Sequence, residues 1–282
     1  MKAYCINLDR RPDRLAHMTA LLARHGVPFE RVAAVDGQDP QVAARAAGCG
    51  AGMTGARMSA GAYACFQSHR EVWQRLVASG APHAMVLEDD LLIAAGFAAY
   101  LSQDWVPQDA DLVRLETYQV RLHRQAGPGL PARGRRLHRL RSRHVGTGCY
   151  VISQGAARHL LAVTEAISDP VDETLFNDAS PLFVRLIIYQ MVPSPVMQGV
   201  ASEDATRPQD RQNQDRQNQD RQNQDRQNRE AWVKSSILDR YAQGSQGRFP
   251  EAETPLPRLW RRLRAEIWSV LAGTRYVVVR FG

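Results

Sequence analysis

Short apolar runs alternate with helical stripes along the N-terminal part of the chain. Residues 2–8 read as a buried strand and residues 9–13 as a polar turn, with Pro12 where the first turn of a helix tolerates it. Leu15, Met18, Leu21 and Leu22 follow at helical spacing, and Gly26-Val27-Pro28 closes that helix. Residues 29–35 predict a second strand, and Asp36-Gly37 a turn after it. A small-residue loop covers 46–56, and the next helix covers 59–79, carrying Tyr63, Phe66, Val72, Leu76 and Val77. Residues 84–87 form a brief apolar strand that stops at Glu88-Asp89-Asp90. Further strands are expected at 112–115, 149–152 and 182–189, with a helix over 155–163. Strands alternating with helices through short connections predict an α/β fold, a mainly parallel sheet covered on both faces.

Two stretches depart from this pattern. Between 210 and 228 Asp-Arg-Gln-Asn recurs four times with a Gln between copies and no apolar residue, so the composition predicts a disordered spacer. Its five-residue period suits neither a helix turn nor a solenoid unit, and its length can drift in frame. Beyond it, residues 256–271 set Leu259, Trp260, Leu263, Ile267, Trp268 and Leu271 against Arg258, Arg261, Arg262 and Arg264. That is the pattern of a basic amphipathic helix at a membrane surface, and equally of a helix packed back on the catalytic domain. The expected organisation is a catalytic domain over 1–202, a linker over 203–230 and a C-terminal basic segment over 231–282.

Composition adds a direction. A formal charge of +7 favours anionic partners: nucleic acid, a membrane surface or a phosphorylated substrate. Residues 117–164 hold no acidic side chain, while eleven Arg and His positions lie between 121 and 144. Such a stretch is either a solvated basic face or a seat for acceptor phosphates, which arginine binds through paired hydrogen bonds. Cys5, Cys49, Cys65 and Cys149 show no C-x-x-C pairing, which argues against a zinc finger or a disulfide framework. No signal-peptide pattern and no run near the ~20 apolar residues of a membrane span is present, so the expectation is a cytoplasmic protein.

Three consecutive carboxylates after a buried strand repel one another, and a cation relieves that repulsion. Hard oxygen donors select Mg²⁺ or Mn²⁺, and ligands of open α/β sheets bind beyond the carboxyl ends of strands. Taken alone, the triplet reads more readily as a solvated acidic turn. Four sequence blocks set it in context: Ile6-Asn7-Leu8-Asp9-Arg10-Arg11-Pro12-Asp13-Arg14; Cys65-Phe66-Gln67-Ser68-His69 with Trp73 and Val86-Leu87-Glu88-Asp89-Asp90; Gly148-Cys149-Tyr150-Val151-Ile152-Ser153 with Gly155-Ala156; and Pro170-Val171-Asp172. In order and spacing these resemble glycosyltransferase family 25, which includes lipopolysaccharide and lipooligosaccharide core glycosyltransferases. One departure is Ala62-Tyr63-Ala64, where members often carry Glu-Ile-Gly.

The resemblance implies a GT-A-type, Rossmann-like sheet holding a nucleotide-sugar, with a D-x-D-like acidic motif. On that footing Asp90 is the expected metal ligand, Asp89 a second ligand or ribose contact, and Glu88 the structural member of the triplet. Asn7, Asp9, Arg10 and Arg14 are the expected donor-binding residues, joined by Ser68 and His69 from the central block. Locally, Asp9 also suits a helix N-terminus, and a lone helical His is commonly structural. An acceptor hydroxyl needs a base; Asp172 is the first candidate, with an N-cap before Glu173 as its other reading, and Glu116 is the second. The implied function is transfer of a hexose, galactose from a UDP-sugar being the expected case, to a lipopolysaccharide-type core glycan with inversion. The implied partners are that donor, an anionic lipid-linked acceptor and, through 256–271, the inner face of the inner membrane. Nucleic acid is not expected, because the triplet repels phosphates and no helix-turn-helix or aromatic-interleaved basic motif appears. A phosphoester-cleaving enzyme would want a second carboxylate cluster, and an inactive scaffold is the remaining alternative.

Overall fold

The computed structural model describes residues 1–199, apart from Thr54, Ala56, Val120 and Val145, together with 274–282. The chain divides into two compact units, Met1–Gly199 with Arg264–Gly282, and Val200–Leu263. The second unit, and with it the repeat at 210–228, lies outside the described residues, as does all of 256–271.

The first unit runs β1 (Lys2–Asn7), α1 (Pro12–Arg24), β2 (Glu30–Ala33), α2 (Pro40–Ala47), α3 (Ala60–Ser79), β3 (His83–Leu87), β4 (Leu91–Ile93), β5 (Leu112–Arg114), β6 (Arg121–Gln125), β7 (Leu130–Ala132), β8 (Arg135–Arg139), β9 (Cys149–Ser153), α4 (Gln154–Val163), α5 (Val171–Phe176), β10 (Ile188–Val192), β11 (Val196–Gln198) and β12 (Thr274–Val278). Eight strands form one sheet in the order β2-β1-β3-β9-β5-β10-β8-β7. β1 pairs in parallel with β2 and β3, and β5 with β10, while β9 and β8 run against their neighbours. Six of the eight strands thus point the same way, an α/β sheet of mostly one direction.

Period-two alternation explains why both faces are covered. On β1, Ala3 and Cys5 join the core beneath α1 with Met18, Leu21 and Leu22, while Tyr4 and Ile6 join the opposite core. On β3 the same split sends Met85 and Leu87 one way and Ala84 and Val86 the other. The second core is built on Phe66, Val72, Trp73 and Leu76 of α3, with Leu160 of α4 and Leu175 and Phe176 of α5. α3 begins where the Ser59 hydroxyl accepts from the Ala62 N–H at 3.1 Å and stops at Gly80, whose φ of 71° suits glycine.

Three features differ from the sequence reading. The apolar run 182–189 is not one strand: Ser180 starts a turn in which Phe183, Arg185 and Leu186 N–H groups bond back three or four residues, and β10 begins only at Ile188. Asp39 caps α2, accepting from the Gln41 N–H at 2.7 Å with Pro40 at the first position, so a helix precedes the small-residue loop. The arginine-rich stretch, which carried no strand expectation, supplies β6, β7 and β8.

The C-terminal residues 274–282 form a further strand and its continuation. β12 pairs antiparallel with β6, from Thr274↔Gln125 to Val278↔Arg121. Val279 is fully buried, and its carbonyl accepts from the Thr117 hydroxyl at 2.7 Å, while Ser194 N–H donates to Arg280 O at 2.7 Å. Residues 274–282 therefore pack in the same unit as residues 1–199. The physical reason is the open edge of β6, whose backbone groups this strand satisfies.

Candidate active site

Parallel pairing of β1 with β3 brings their carboxyl ends together, so Asn7 and Glu88-Asp89-Asp90 emerge side by side. β5 ends at the same edge with Glu116, and antiparallel β9 starts there, which brings Thr147 and Gly148 opposite. β11, paired with β4, adds Gln198.

Each carboxylate of the triplet has a distinct setting. Asp89 is 9% exposed and held on both oxygens: Asn7 Nδ2 donates to Oδ2 at 2.7 Å and Arg14 to Oδ1 at 3.2 Å. Asn7 is itself fixed, donating to Arg11 O at 3.0 Å and accepting from Arg31 Nε at 3.1 Å. Glu88 turns inward, accepting from the Thr147 hydroxyl at 2.6 Å and from Gln198 Nε2 at 2.8 Å, with His69 Nε2 at 3.4 Å. Burial pushes the Glu88 carboxyl up, but His69, Thr147 and Gln198 outweigh it and hold it below the ordinary range. Asp90 is different. Arg14 stands 3.8 Å from its Oδ2, while its buried Oδ1 has no hydrogen-bond partner among the described residues. Burial and the Glu88 charge push Asp90 up to about 8 against the pull of Arg14, with Asp89 and Glu116 adding to the rise.

Glu116 is fully buried, accepting from Gly148 N–H at 2.8 Å and from Arg114 at 3.3 Å. Burial pushes it up to about 7 although Arg114 opposes the rise. Arg114, equally buried, lies 5.1 Å from the Phe176 ring and donates to His144 O. Gly148 leaves the space Glu116 needs: a Cβ there would sit 2.9 Å from Glu116 Oε1 and 3.0 Å from Leu91 Cδ2. Gly148→Ala is therefore expected to cost about 1–3 kcal/mol through overpacking, read as a lower urea midpoint with unchanged slope. A midpoint equal to that of the parent chain would show that Glu116 moves aside freely.

Asp172 is partly exposed, near the start of α5, and accepts from the Glu173 N–H at 2.9 Å and the Gly146 N–H at 3.3 Å. Its carboxyl is raised by burial and then by the Glu173 charge, with the two backbone donors opposing. The side chain thus ties the 146–148 loop to α5 and retains free lone pairs.

Of the remaining candidates, Asp9 pairs with Arg31, and Arg10 with Asp36 at 2.8 Å, on the rim of the same sheet end. Ser68 is buried and structural in its contacts, donating to Ala64 O at 2.8 Å and accepting from Val35 N–H at 2.9 Å. His69 is buried beneath Glu88, with Nδ1 2.9 Å from the Tyr150 hydroxyl, which Trp73 Nε1 also reaches at 3.0 Å. Sequence reasoning did not single out Arg31, Arg114, Thr147 or Gln198. Arg114 alone left a signal, a charge within the apolar run Leu112-Val113-Arg114-Leu115.

The carboxylates fit a hard divalent cation. Asp90 Oδ1 has no hydrogen-bond partner among the described residues, and Asp89 keeps lone pairs beyond its two hydrogen bonds.

Comparison with known proteins identifies the family. Residues 1–175 match the family described as glycosyltransferase family 25 (LPS biosynthesis protein). The lacto-N-neotetraose biosynthesis glycosyltransferase LgtB of Neisseria meningitidis serogroup B is 31% identical over 188 residues, covering 63% of this chain and 68% of the relative. The lipooligosaccharide biosynthesis protein lex-1 of Haemophilus influenzae is 31% identical over 153 residues, half of each chain. Among solved structures, a glycosyltransferase involved in glycosylation of the major capsid of PBCV-1 aligns with 72% of this chain and 95% of its own at a TM-score of 0.41 and 7% identity.

Proposed function

Because the chain belongs to glycosyltransferase family 25, and so is a glycosyltransferase, we propose that it moves a hexose from a nucleoside-diphosphate sugar to a lipopolysaccharide- or lipooligosaccharide-type core glycan. Galactose from a UDP-sugar is the donor we favour. The observation that carries the reading is the carboxylate set at the ends of β3 and β5, with Asp90 Oδ1 lacking a hydrogen-bond partner among the described residues.

In this reading Asp90, with Asp89 as second ligand, would hold Mn²⁺ or Mg²⁺, which supplies charge neutralisation of the leaving diphosphate. Asn7 and Arg14 fix Asp89, so the donor end of the site is preorganised before substrate arrives. Asp9 and Arg10 lie at the rim where base and ribose would rest. The acceptor oxygen attacks the anomeric carbon from the face opposite the diphosphate. A new C–O bond forms as the bond to the diphosphate breaks, the configuration inverts, and the hydroxyl proton passes to a carboxylate. Asp172 suits that base: it is partly exposed and its affinity for protons is raised. Glu116 is the alternative, but its complete burial keeps an acceptor hydroxyl away. The reading is tested by incubating purified protein with UDP-hexoses and a core glycan, with manganese or with chelator. Transfer that persists undiminished in chelator refutes the metal role.

No described helix is long and apolar enough to cross a membrane. From the sequence we propose that 203–230 is a spacer and that 256–271 holds the enzyme at an anionic membrane surface, where its acceptor resides. The arginines of 121–143 would then face acceptor phosphates. Full-length protein is expected to pellet with anionic but not neutral vesicles and to be released by salt. Replacing Trp260 and Trp268 by Ala should abolish pelleting and spare transfer to a soluble acceptor, and removing two repeat copies should change neither. Unfolding of the Trp variant would instead assign 256–271 to the core.

A further inference from the structure

Behind the acidic triplet lies a second group of donors with different chemistry. Cys65 and His69 stand one turn apart on α3, Glu88 ends the neighbouring strand, and one ligand atom from each lies within 4.8 Å of the others. His69 is completely buried, yet its Nε2 makes no hydrogen bond. A buried imidazole nitrogen left with a 3.4 Å ion-pair contact to Glu88 but no hydrogen bond is costly, and this one faces the Cys65–Glu88 pair. Its other nitrogen lies 2.9 Å from the Tyr150 hydroxyl, which the Trp73 N–H holds in place at 3.0 Å. A histidine that binds a metal through one nitrogen characteristically donates through the other to such an orienting partner.

We propose that Cys65, His69 and Glu88 form a site for a soft divalent cation, Zn²⁺ by its donor set, separate from the hard-cation site at Asp90. With His69 Nδ1–H donating to Tyr150, the Nε2 lone pair is free for the ion. The 3.4 Å from Nε2 to Glu88 Oε1 is already the separation of a nitrogen and an oxygen ligand on one tetrahedral zinc, about 3.3–3.6 Å for bonds of 2.0–2.2 Å. Binding displaces the Cys65 thiol proton to solvent, and the thiolate sulfur favours zinc over magnesium or manganese. The ion clips α3 to the end of β3 directly behind the residues that face the donor, and three protein ligands leave one tetrahedral position for water.

The test uses full-length, reduced protein stripped with chelator and titrated with Co²⁺ as a spectroscopic substitute for Zn²⁺. One cobalt per chain should give a thiolate-to-metal charge-transfer band that Zn²⁺ abolishes. Asp90→Asn should keep the band, so the outcome is independent of the proposed catalytic metal. Cys65→Ser should lose it, and His69→Gln should weaken cobalt affinity at least tenfold, each variant being checked for native circular dichroism. Absence of the band in the folded parent chain overturns the proposal and leaves His69 Nε2–H directed at Glu88. So does a band that survives in Cys65→Ser, or one that vanishes in Asp90→Asn.

Discussion

Asp90→Asn is expected to abolish the proposed manganese-dependent transfer, lowering kcat by at least roughly 10²-fold, without weakening the fold. The stability half of this expectation follows from sign. Asp90 is raised from 3.8 to about 8, so between those values the folded chain binds a proton that the unfolded chain has released. Without metal, the residue therefore lowers stability progressively as pH rises through that window. Replacing it with a neutral amide removes the penalty. The thermal midpoint at pH 7 in chelator should equal or exceed that of the parent chain, while the rise on adding Mn²⁺ should disappear. A variant that retains near-normal manganese-dependent turnover, or that is destabilised in chelator, would show that Asp90 serves the protein and not a metal.

Asp172→Asn is expected to lower kcat by roughly 10²-fold or more with the donor KM little changed, because the amide keeps the shape and loses the base. The two backbone donors bind different oxygens, Glu173 N–H on Oδ1 and Gly146 N–H on Oδ2, so an asparagine oxygen keeps one of these bonds, and an unchanged donor KM checks that the 146–148 loop stays docked. The pH profile separates a base from a brace. Burial raises the Asp172 carboxyl, so at saturating metal kcat should climb with pH through a value above the ordinary aspartate range. That acid limb should vanish in the variant. Loss of donor affinity in step with turnover would instead make Asp172 the fastening of the loop, and Glu116→Gln would then be measured in the same way.

The strand-end triplet was readable because a fully apolar strand running into carboxylates has no packing reason to end so. α1 and α3 were readable for a similar cause, since Pro12, Ser59 and Gly80 mark ends that local chemistry sets. The run 182–189 misled because composition cannot distinguish an apolar strand from an apolar turn; Ser180 decided it, and Val184 ends 73% exposed. β6 and β8 were hidden by their arginine-rich composition, although Leu122 and Leu137, with Leu140 just after β8, supply the core. At the site, sequence named Asn7, Arg14, Asp89 and Asp90, which the fold gathers. It could not show that Ser68 is spent on Val35, nor that Gln198 and Thr147 hold Glu88, because those contacts join residues far apart in the chain.

The pairing of β12 with β6 has a consequence for synthesis and for variation of the gene product. During translation the edge of β6 stays uncovered until Thr274–Val278 have left the ribosome, a window in which an exposed strand can recruit another nascent chain. Once the partner arrives, the penalty for joining the two strands depends only weakly on how much polypeptide separates them, about 0.6 kcal/mol for each doubling. Gaining or losing whole five-residue units between 210 and 228 would thus leave the closure almost as favourable as before. A change of reading frame in the same stretch would not: it would delete Thr274–Val278 and the buried Val279, leaving a sheet whose edge never closes.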